Sequence, residues 1–295
     1  MKQIISQISS QLQTAYPEDE ARSLAWWIME ELTGKSRTEL QFGCKDTAFS
    51  PIMQEKSQEI ISRLLHFEPI QYIFGHTLWC GLDLLVTPAT LIPRPETAEL
   101  VERINVQMVN DQMVNVLDVG TGSGCIAIAL KKAHPSWSVT GIDISPEAIA
   151  IARENARRNK VEVRFEVADI FSDQMTKYLN KWYVVNDPMV NIVVSNPPYI
   201  CESEKSSMRP NVLNFEPYSA LFVPDSDPLK FYRRIAELFS LPLEGKGRER
   251  GLFFEINEAF GPQLSAMLDS LGYTGIQIHK DIYGKDRIIE ARMAR

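Results

Sequence analysis

The sequence lacks the residue patterns that indicate a metal centre or a disulfide framework. Its 295 residues include few cysteines and histidines, and these form neither a C-x-x-C pair nor another metal-ligand spacing. The cysteines are Cys44, Cys80, Cys125 and Cys201, and the histidines are His66, His76, His134 and His279. We therefore expect reduced thiols and no metal ion at the functional site.

Long apolar runs and excess positive charge are also missing. The opening stretch "MKQIISQISSQLQTAYPEDE" contains polar residues throughout, unlike the continuous apolar core of a signal peptide, and no later run reaches the length of a membrane span. The formal net charge is −7, whereas nucleic-acid-binding proteins usually carry a basic face. These absences predict a cytosolic (cytoplasmic) protein that has no membrane or direct nucleic-acid partner.

Helical periodicity dominates the first quarter of the chain. In "EDEARSLAWWIMEELTG" and "SPIMQEKSQEIISRLLHFEP", apolar residues recur at the spacing that is typical of amphipathic helices. From Tyr72 onwards, aromatic, β-branched and turn residues become frequent, as in paired strands. We therefore predict a small helical domain at residues 1–75, a β-hairpin linker at residues 76–95 and a principal domain at residues 96–295.

Strand-like and helix-like segments alternate in the principal domain, and strands separated by helices form right-handed βαβ units in a mostly parallel, doubly wound sheet. The predicted strands are 115–119, 138–144, 161–168, 191–195, 252–256, 275–279 and 287–291. The last two lie too close together for a helix between them, so they should form an antiparallel hairpin across "KDIYGKD". Residues 172–191 and 241–251 are expected to be surface loops.

A glycine-rich loop follows the first of these strands. In "NVLDVGTGSGCIAIAL", Gly120, Gly122 and Gly124 precede an apolar helix, where backbone amides can approach a ligand. Taken alone, such glycines serve a tight strand-to-helix turn equally well. A dinucleotide fingerprint needs its third glycine where this chain has Cys125, so NAD and FAD are disfavoured. The G-x-G-x-G pattern instead resembles the S-adenosylmethionine-binding class I methyltransferases.

The next two strands end in carboxylates. Asp143 lies about twenty residues beyond the glycines, where an acidic side chain can accept hydrogen bonds from ribose hydroxyls. The alternative is that Asp143 only helps to cap the helix that follows. At the next strand end, Asp169 can bond the adenine amine and Ile170 can pack on the base, although an ordinary strand-to-loop aspartate fits nearly as well. Since carboxyl ends of parallel strands meet at one edge, the sequence predicts a nucleoside-binding rim.

The fourth strand runs into the stretch "VVSNPPYI". Prolines cannot donate hydrogen bonds to a sheet and restrict the preceding residue, so the strand ends with Asn196 extended. A planar amide or amine nitrogen is a poor nucleophile because its lone pair is delocalised. The Asn196 side-chain carbonyl and the Pro197 backbone carbonyl can accept its two hydrogens and favour a pyramidal nitrogen, while Tyr199 packs against its plane. The motif therefore predicts methylation of adenine, cytosine, guanine or glutamine, with a rigid turn as the alternative.

Several stretches together resemble the HemK/PrmC family over residues 69–292. They are "PIQYIFG", "TPATLIPRPETAELV", "LDVGTGSGCIAIAL", "VVSNPPYI", "FEPYSAL" and "DIYGKDRIIEAR". Members of that family are N5-glutamine methyltransferases, which modify the glutamine of the Gly-Gly-Gln motif in class-one peptide chain release factors. The resemblance implies a class I methyltransferase fold with an antiparallel last strand, S-adenosylmethionine as cofactor, and a helical N-terminal domain that engages the protein substrate.

The resemblance also implies roles for particular residues. The cofactor-binding residues would be Gly120, Thr121, Gly122, Ser123, Gly124, Asp143, Asp169, Ile170 and Asn196. The substrate glutamine would be bound by Asn196, Pro197, Pro198 and Tyr199, of which Asn196 and Pro197 would be catalytic. Arg94 and Glu96 in "IPRPET" would wall the site. The chain departs from the family pattern at Asn257, Val223 and Pro224.

Three other functions fit part of the pattern. A nucleic-acid amino methyltransferase shares the N-P-P-Y motif but should carry a basic target-recognition region. A glutamine methyltransferase acting on a ribosomal protein has nearly the same motifs and is the closest alternative. A non-enzymatic cofactor-binding protein would keep the glycine loop but would not need Asn196.

Overall fold

The structure is a computed structural model and describes residues 2–42, 49–107, 114–173, 175, 190–240 and 250–293. Cys44 and most of the predicted surface loops at 172–191 and 241–251 lie outside the described residues, so these expectations stay predictions. The chain divides into two compact units, of which the first comprises Met1–Phe74 and Arg209–Phe215 and the second comprises Gly75–Met208 and Glu216–Arg295. No helix in the described ranges is both long and apolar enough to cross a membrane.

The first unit is helical. Its helices are Lys2–Leu12, Glu18–Thr33, Arg37–Phe42, Pro51–Leu65, Ile70–Phe74 and Pro210–Leu213. Local sequence sets their ends: Ser50 accepts a hydrogen bond from the Met53 amide at 3.2 Å, and Gly34 ends its helix in the left-handed conformation. Apolar faces such as that of Ile28 form a buried core.

The segment 209–215 is held to this unit partly by Arg209, whose guanidinium nitrogens donate to both carboxylate oxygens of Glu20 at 3.1 Å.

The second unit begins with an antiparallel hairpin. Strand β1 is His76–Trp79 and strand β2 is Leu82–Leu85. Leu82 and Leu84 are buried in the core that lies on one face of the main sheet. The fully buried Asn155 accepts a hydrogen bond from the Leu85 amide at 2.7 Å and donates to the Leu85 carbonyl at 3.0 Å. The hairpin is therefore joined to the second unit by both apolar packing and a side-chain amide.

The described residues of the second unit form a seven-stranded sheet. Its strands are β3 Asn115–Val119, β4 Ser138–Asp143, β5 Arg164–Val167, β6 Ile192–Ser195, β9 Arg250–Glu255, β10 Thr274–Lys280 and β11 Asp286–Met293, and their spatial order is β10-β11-β9-β6-β3-β4-β5. Two short strands, β7 Ile200–Cys201 and β8 Phe222–Val223, pair separately. Strands β3, β4, β5, β6 and β9 are parallel, and β11 runs antiparallel to β9 and β10. This arrangement confirms the predicted doubly wound fold and its antiparallel last strand.

Helices cover both faces of the sheet, as parallel sheets require. They are Pro95–Gln107, Cys125–Ala133, Pro146–Arg158, Lys230–Ser240 and Gly261–Ser270, with shorter turns at Glu202–Ser207 and Tyr218–Leu221. Along β3, Val116 faces one core and Leu117 the other. Strand β5 begins later than the predicted 161, because the Val161 amide donates to the Ala156 carbonyl at 3.1 Å and closes the preceding helix.

Candidate active site

A cleft lies at the carboxyl ends of β3, β4, β5 and β6, at the edge that the sequence predicts. The cleft is open on one side, and about 1120 Å³ of space free of protein atoms, including solvent at its mouth, lies along its walls. The predicted site residues that line it are Gly120, Thr121, Gly122, Ser123, Asp143, Asp169, Ile170, Asn196, Pro197 and Pro198, and Arg94 lines it as well. Gly124, Tyr199 and Glu96 are absent from its described lining. The fold thus brings ten of the twelve predicted residues together.

The glycine loop is fixed by the neighbouring strand. The amides of Gly120 and Thr121 both donate to the Ile142 carbonyl at 2.9 Å. Gly124 has a φ of +80°, and a Cβ there would lie 3.0 Å from the Phe165 ring and 3.1 Å from Ala152. Gly124 therefore serves the turn and the packing under the loop rather than the surface of the cleft.

Asp143 lies at the end of β4 with its carboxylate already oriented. Its Oδ2 accepts a hydrogen bond from the Gly122 amide and its Oδ1 accepts one from the Ser145 amide, both at 2.9 Å. Burial raises the pKa of Asp143, and the backbone hydrogen bonds oppose that shift. Ser145 itself caps the next helix, since its hydroxyl accepts from the Ala148 amide at 3.1 Å. The cap is thus carried by Ser145, and Asp143 connects the loop to the helix start.

Asp118 is a buried carboxylate beneath the same loop, and it was not predicted as a site residue. Its Oδ2 accepts hydrogen bonds from the Thr121 hydroxyl at 2.6 Å and the Ala127 amide at 3.3 Å. Its Oδ1 is buried without a hydrogen-bond partner among the described residues. Desolvation raises the pKa of Asp118 to about 7. The available signal was an ionisable residue between the apolar residues of the strand "NVLDV".

Asp169 and Ile170 form the far wall of the cleft. The Asp169 carboxylate accepts from the Phe171 amide at 2.8 Å, and the Ile170 carbonyl accepts from Arg234 Nε at 2.7 Å. The rings of Phe171 and Phe231 meet edge to face with centroids 5.4 Å apart, and both line the cleft. This aromatic pair was not predicted, because Phe231 is distant in sequence and belongs to the helix Lys230–Ser240.

Asn196 belongs to a chain of hydrogen bonds. Its Nδ2 donates to Thr97 Oγ1 at 3.2 Å, and the Thr97 hydroxyl donates to Glu255 Oε2 at 2.6 Å. The Tyr199 hydroxyl donates to Glu255 Oε1 at 3.0 Å. Burial raises the pKa of Glu255, while the hydrogen bonds from Thr97 and Tyr199 and the charge of Arg287 oppose the shift. The Tyr199 hydroxyl is thus directed to a buried carboxylate.

Asn257, one of the positions where the chain departs from the family pattern, contacts the N-P-P-Y turn. Asn257 Nδ2 donates to the Tyr199 carbonyl at 3.1 Å and to Glu204 Oε2 at 3.0 Å. The Asn257 side chain is buried and forms a direct hydrogen bond to the N-P-P-Y turn. The departure at Asn257 therefore supports the turn.

Groups for covalent or metal catalysis are not evident in the described cleft. Cys125 lines it, but burial raises the pKa of that thiol to about 12, so it stays protonated at neutral pH. Within the described ranges, no group of three or more His, Cys, Asp and Glu side chains could hold a metal ion. The cleft offers hydrogen-bond acceptors, backbone amides and apolar surface.

Both the helical region and the sheet-bearing part of the chain match models of known protein families. Residues 3–75 match the family model of the PrmC N-terminal domain, and residues 110–214 match that of a methyltransferase domain. The chain is 44% identical over 294 residues to the release factor glutamine methyltransferase of Bacteroides thetaiotaomicron, with 99% of each chain covered. It is 38% identical over 293 residues to the protein of that name from Flavobacterium psychrophilum, with 98% of each covered.

Solved structures show the same fold at greater distance. The hMettl16 catalytic domain, in complex with the MAT2A 3′UTR hairpin 1, has a TM-score of 0.54 at 13% identity, covering 83% of this chain and 81% of that one. That likeness concerns the fold alone. The match to curated relatives, in contrast, runs through the helical region, the glycine loop and the N-P-P-Y turn over nearly the whole chain. The chain therefore belongs to the release factor glutamine methyltransferase family.

Proposed function

We propose that this protein transfers a methyl group from S-adenosylmethionine to the side-chain amide nitrogen (N5) of the glutamine in the Gly-Gly-Gln motif of class-one peptide chain release factors. The observation that carries the proposal is that Asn196 and Pro197 line the same cleft as the glycine loop and Asp143. Carbonyl groups that can accept hydrogen bonds from a substrate amide thus lie beside residues that can bind a nucleoside. The family to which the chain belongs supplies the substrate class.

The donor set of the cleft fits S-adenosylmethionine. Carboxylate oxygens have more than one acceptor site, so Asp143 can accept from ribose hydroxyls while it keeps its bonds from Gly122 and Ser145. Asp169 can accept from the adenine amine, and Ile170 can pack on the base. The loop residues that would hold the rest of the cofactor are Gly120, Thr121, Gly122 and Ser123, with Gly124 shaping the turn beneath them and Asn196 approaching the cofactor from the end of β6. When bound, the cofactor supplies an electrophilic methyl group on a sulfonium sulfur.

The N-P-P-Y turn, residues 196–199, forms an acceptor loop that prepares the glutamine amide for its attack on the methyl group. The side-chain carbonyl of Asn196 and the backbone carbonyl of Pro197 accept its two N–H hydrogens, which localises the nitrogen lone pair. Pro197 and Pro198 limit the motion of the loop, so the acceptors need little ordering when the substrate arrives. Tyr199 is proposed to contact the planar amide with its ring while its hydroxyl stays on Glu255. The proton then leaves to water, and no side-chain nucleophile takes part.

The helical region is proposed to recognise the folded release factor. This assignment follows the predicted division into a helical domain at residues 1–75, a hairpin linker at residues 76–95 and a methyltransferase domain at residues 96–295. We propose a cytosolic site of action, where release factors are found, with no membrane, metal or direct nucleic-acid partner.

The test is mass spectrometry of the Gly-Gly-Gln peptide cut from a release factor of the same organism after incubation with this protein and S-adenosylmethionine. We expect one added methyl group on the glutamine with the wild-type protein and none with Asn196→Ala. The matched control is Asn105→Ala, which removes an asparagine outside the described cleft lining and should keep the transfer. A folded release factor is used, because isolated peptides bypass the helical domain.

The same incubation separates the alternatives. Methylation of a ribosomal protein in place of the release factor would overturn the substrate and keep the chemistry. Transfer to nucleic acid would overturn the substrate class. Binding of S-adenosylmethionine without transfer to any of these acceptors would favour a non-enzymatic cofactor-binding protein.

A further inference from the structure

The two ends of the Asn196 side-chain amide have almost the same shape and opposite hydrogen-bonding character. Only the carbonyl end can accept a hydrogen from a substrate amide, whereas the NH₂ end would repel it. The proposed reaction therefore depends on which end of Asn196 faces the cleft. A single rotation by half a turn about the last side-chain bond would exchange them.

We infer that Thr97 and Glu255 are positioning residues that set the orientation of the Asn196 amide and turn its carbonyl oxygen toward the acceptor nitrogen. The inference rests on the proposed function, since it explains how the acceptor residue of that reaction is held. Neither residue was among the sites predicted from the sequence.

The direction of the hydrogen bonds follows from chemistry. An ionised carboxylate has only acceptor atoms, so the single hydroxyl hydrogen of Thr97 is donated to Glu255 Oε2 at 2.6 Å. Thr97 Oγ1 then offers only lone pairs to its other neighbour. The Asn196 atom that lies 3.2 Å away must be the nitrogen donor. The carbonyl oxygen is left on the opposite side of the amide.

The arrangement is largely shielded from water. Thr97 is 2% and Glu255 1% exposed, although Thr97 borders the cleft, so little solvent competes for the hydrogen bond between them. The other Glu255 oxygen accepts from Tyr199 at 3.0 Å, which leaves both carboxylate oxygens bonded. Burial opposes the ionised form of Glu255 and the charge of Glu96 adds to that effect, whereas the hydrogen bonds from Thr97 and Tyr199 and the charge of Arg287 favour ionisation. Arg287 is itself held by Asp281, which accepts from Arg287 Nε at 3.2 Å.

The test compares Thr97→Val with Thr97→Ser. Valine keeps the shape of threonine but removes its hydroxyl. The Asn196 NH₂ group can then donate hydrogen bonds to water by turning to the cleft, whereas it can donate none to the valine methyl group. We expect kcat to fall about tenfold, equivalent to about 1.4 kcal/mol, with KM for the release factor changed less than about twofold. Serine keeps the hydroxyl and should restore kcat. Thr140→Val, at a buried threonine of β4 outside the described cleft lining, is the control for the loss of a buried hydroxyl.

A second measurement does not depend on the substrate. In the wild-type protein labelled with ¹⁵N, nuclear Overhauser effects should connect the Asn196 side-chain NH₂ hydrogens with the Thr97 methyl group. These signals would persist if release factors proved to be the wrong substrate, so the two proposals fail separately. The inference is overturned if the signals are absent, if Thr97→Val keeps the wild-type kcat, or if Thr97→Ser loses as much activity as Thr97→Val.

Discussion

The Arg94 guanidinium lies 2.5 Å from Oε1 of Glu216, a carboxylate whose side chain is only 1% exposed. The other Glu216 oxygen accepts from the Ile92 amide at 3.1 Å. One buried carboxylate thus joins the "IPRPE" loop to the "FEPYSAL" segment, and both contribute residues to the wall of the cleft.

Arg94→Met should destabilise the protein because it leaves the Glu216 charge buried without its partner. We expect a loss of about 2 kcal/mol in the free energy of unfolding, less than the roughly 3–5 kcal/mol of a fully buried pair, since Arg94 is 30% exposed. Urea denaturation measures it. Arg157→Met, which removes a surface partner of Glu154, should leave stability unchanged within error. Equal effects of the two substitutions would contradict this role of Glu216.

Asn155→Ala should lower the free energy of unfolding by about 1–3 kcal/mol, because it leaves the half-buried backbone amide and carbonyl of Leu85 and the buried carbonyl of Ser123 without partners. The Ser123 carbonyl belongs to the glycine loop, so affinity for S-adenosylmethionine should fall as well. Asn159 is the matched control: one helical turn further on, it makes the same kind of bonds to Asp83 at an exposed position. Asn159→Ala should lower the free energy of unfolding by less than Asn155→Ala does. It should not change the affinity for S-adenosylmethionine that calorimetry measures.

Gly141→Ala should disturb the floor of the glycine loop. A Cβ at this position would lie 2.6 Å from both the Phe165 ring and Thr121 Oγ1. We expect about 1–3 kcal/mol of destabilisation from overpacking, together with weaker cofactor binding as Thr121 moves. Gly81→Ala strains a left-handed turn in the hairpin with nothing within 4 Å of the new Cβ. Gly81→Ala should lower the free energy of unfolding by about 1–2 kcal/mol and leave the affinity for S-adenosylmethionine unchanged. Equal losses of affinity in Gly141→Ala and Gly81→Ala would refute the prediction.

Asp118 should make stability depend on pH. Its pKa is raised to about 7 in the folded protein by desolvation, against about 3.9 in an unfolded chain. Between these values the folded state retains a proton that the unfolded state has released. The free energy of unfolding should therefore fall, by up to about 4 kcal/mol, as pH rises from about 4 to about 7. Urea titrations across this range should show a shallower slope for Asp118→Asn, and parallel slopes would disprove the assignment.

Local patterns were sufficient to predict much of this molecule. The strands, the terminal hairpin and the strand-end positions of Asp143, Asp169 and Asn196 follow from hydrophobic periodicity, turn residues and the rule that ligands bind at the carboxyl edge of a parallel sheet. Those signals lie within a few consecutive residues. The family resemblance then selected glutamine among the planar nitrogens that the N-P-P-Y motif left open.

The remaining contacts join residues that are far apart in the sequence. Thr97, Asn196 and Glu255 lie on three separate elements, so no short window of sequence contains their shared hydrogen bonds. Gly124 was predicted as a cofactor-binding residue from the spacing of the loop glycines, and that spacing could not reveal its packing against Phe165, which lies on β5. Tyr199 was assigned from its motif alone, which could not reveal Glu255 as the partner of its hydroxyl.

The chain passes from the first compact unit to the second and back again, since Arg209–Phe215 belongs with Met1–Phe74. A ribosome synthesises residues 1–74 first and adds residues 209–215 only after strands β3 to β7 have been made. Until then the helical unit lacks the helix Pro210–Leu213, and Glu20 lacks Arg209. Completion of the first unit therefore waits for most of the second to be translated, and cutting the chain once after residue 74 cannot yield two whole units.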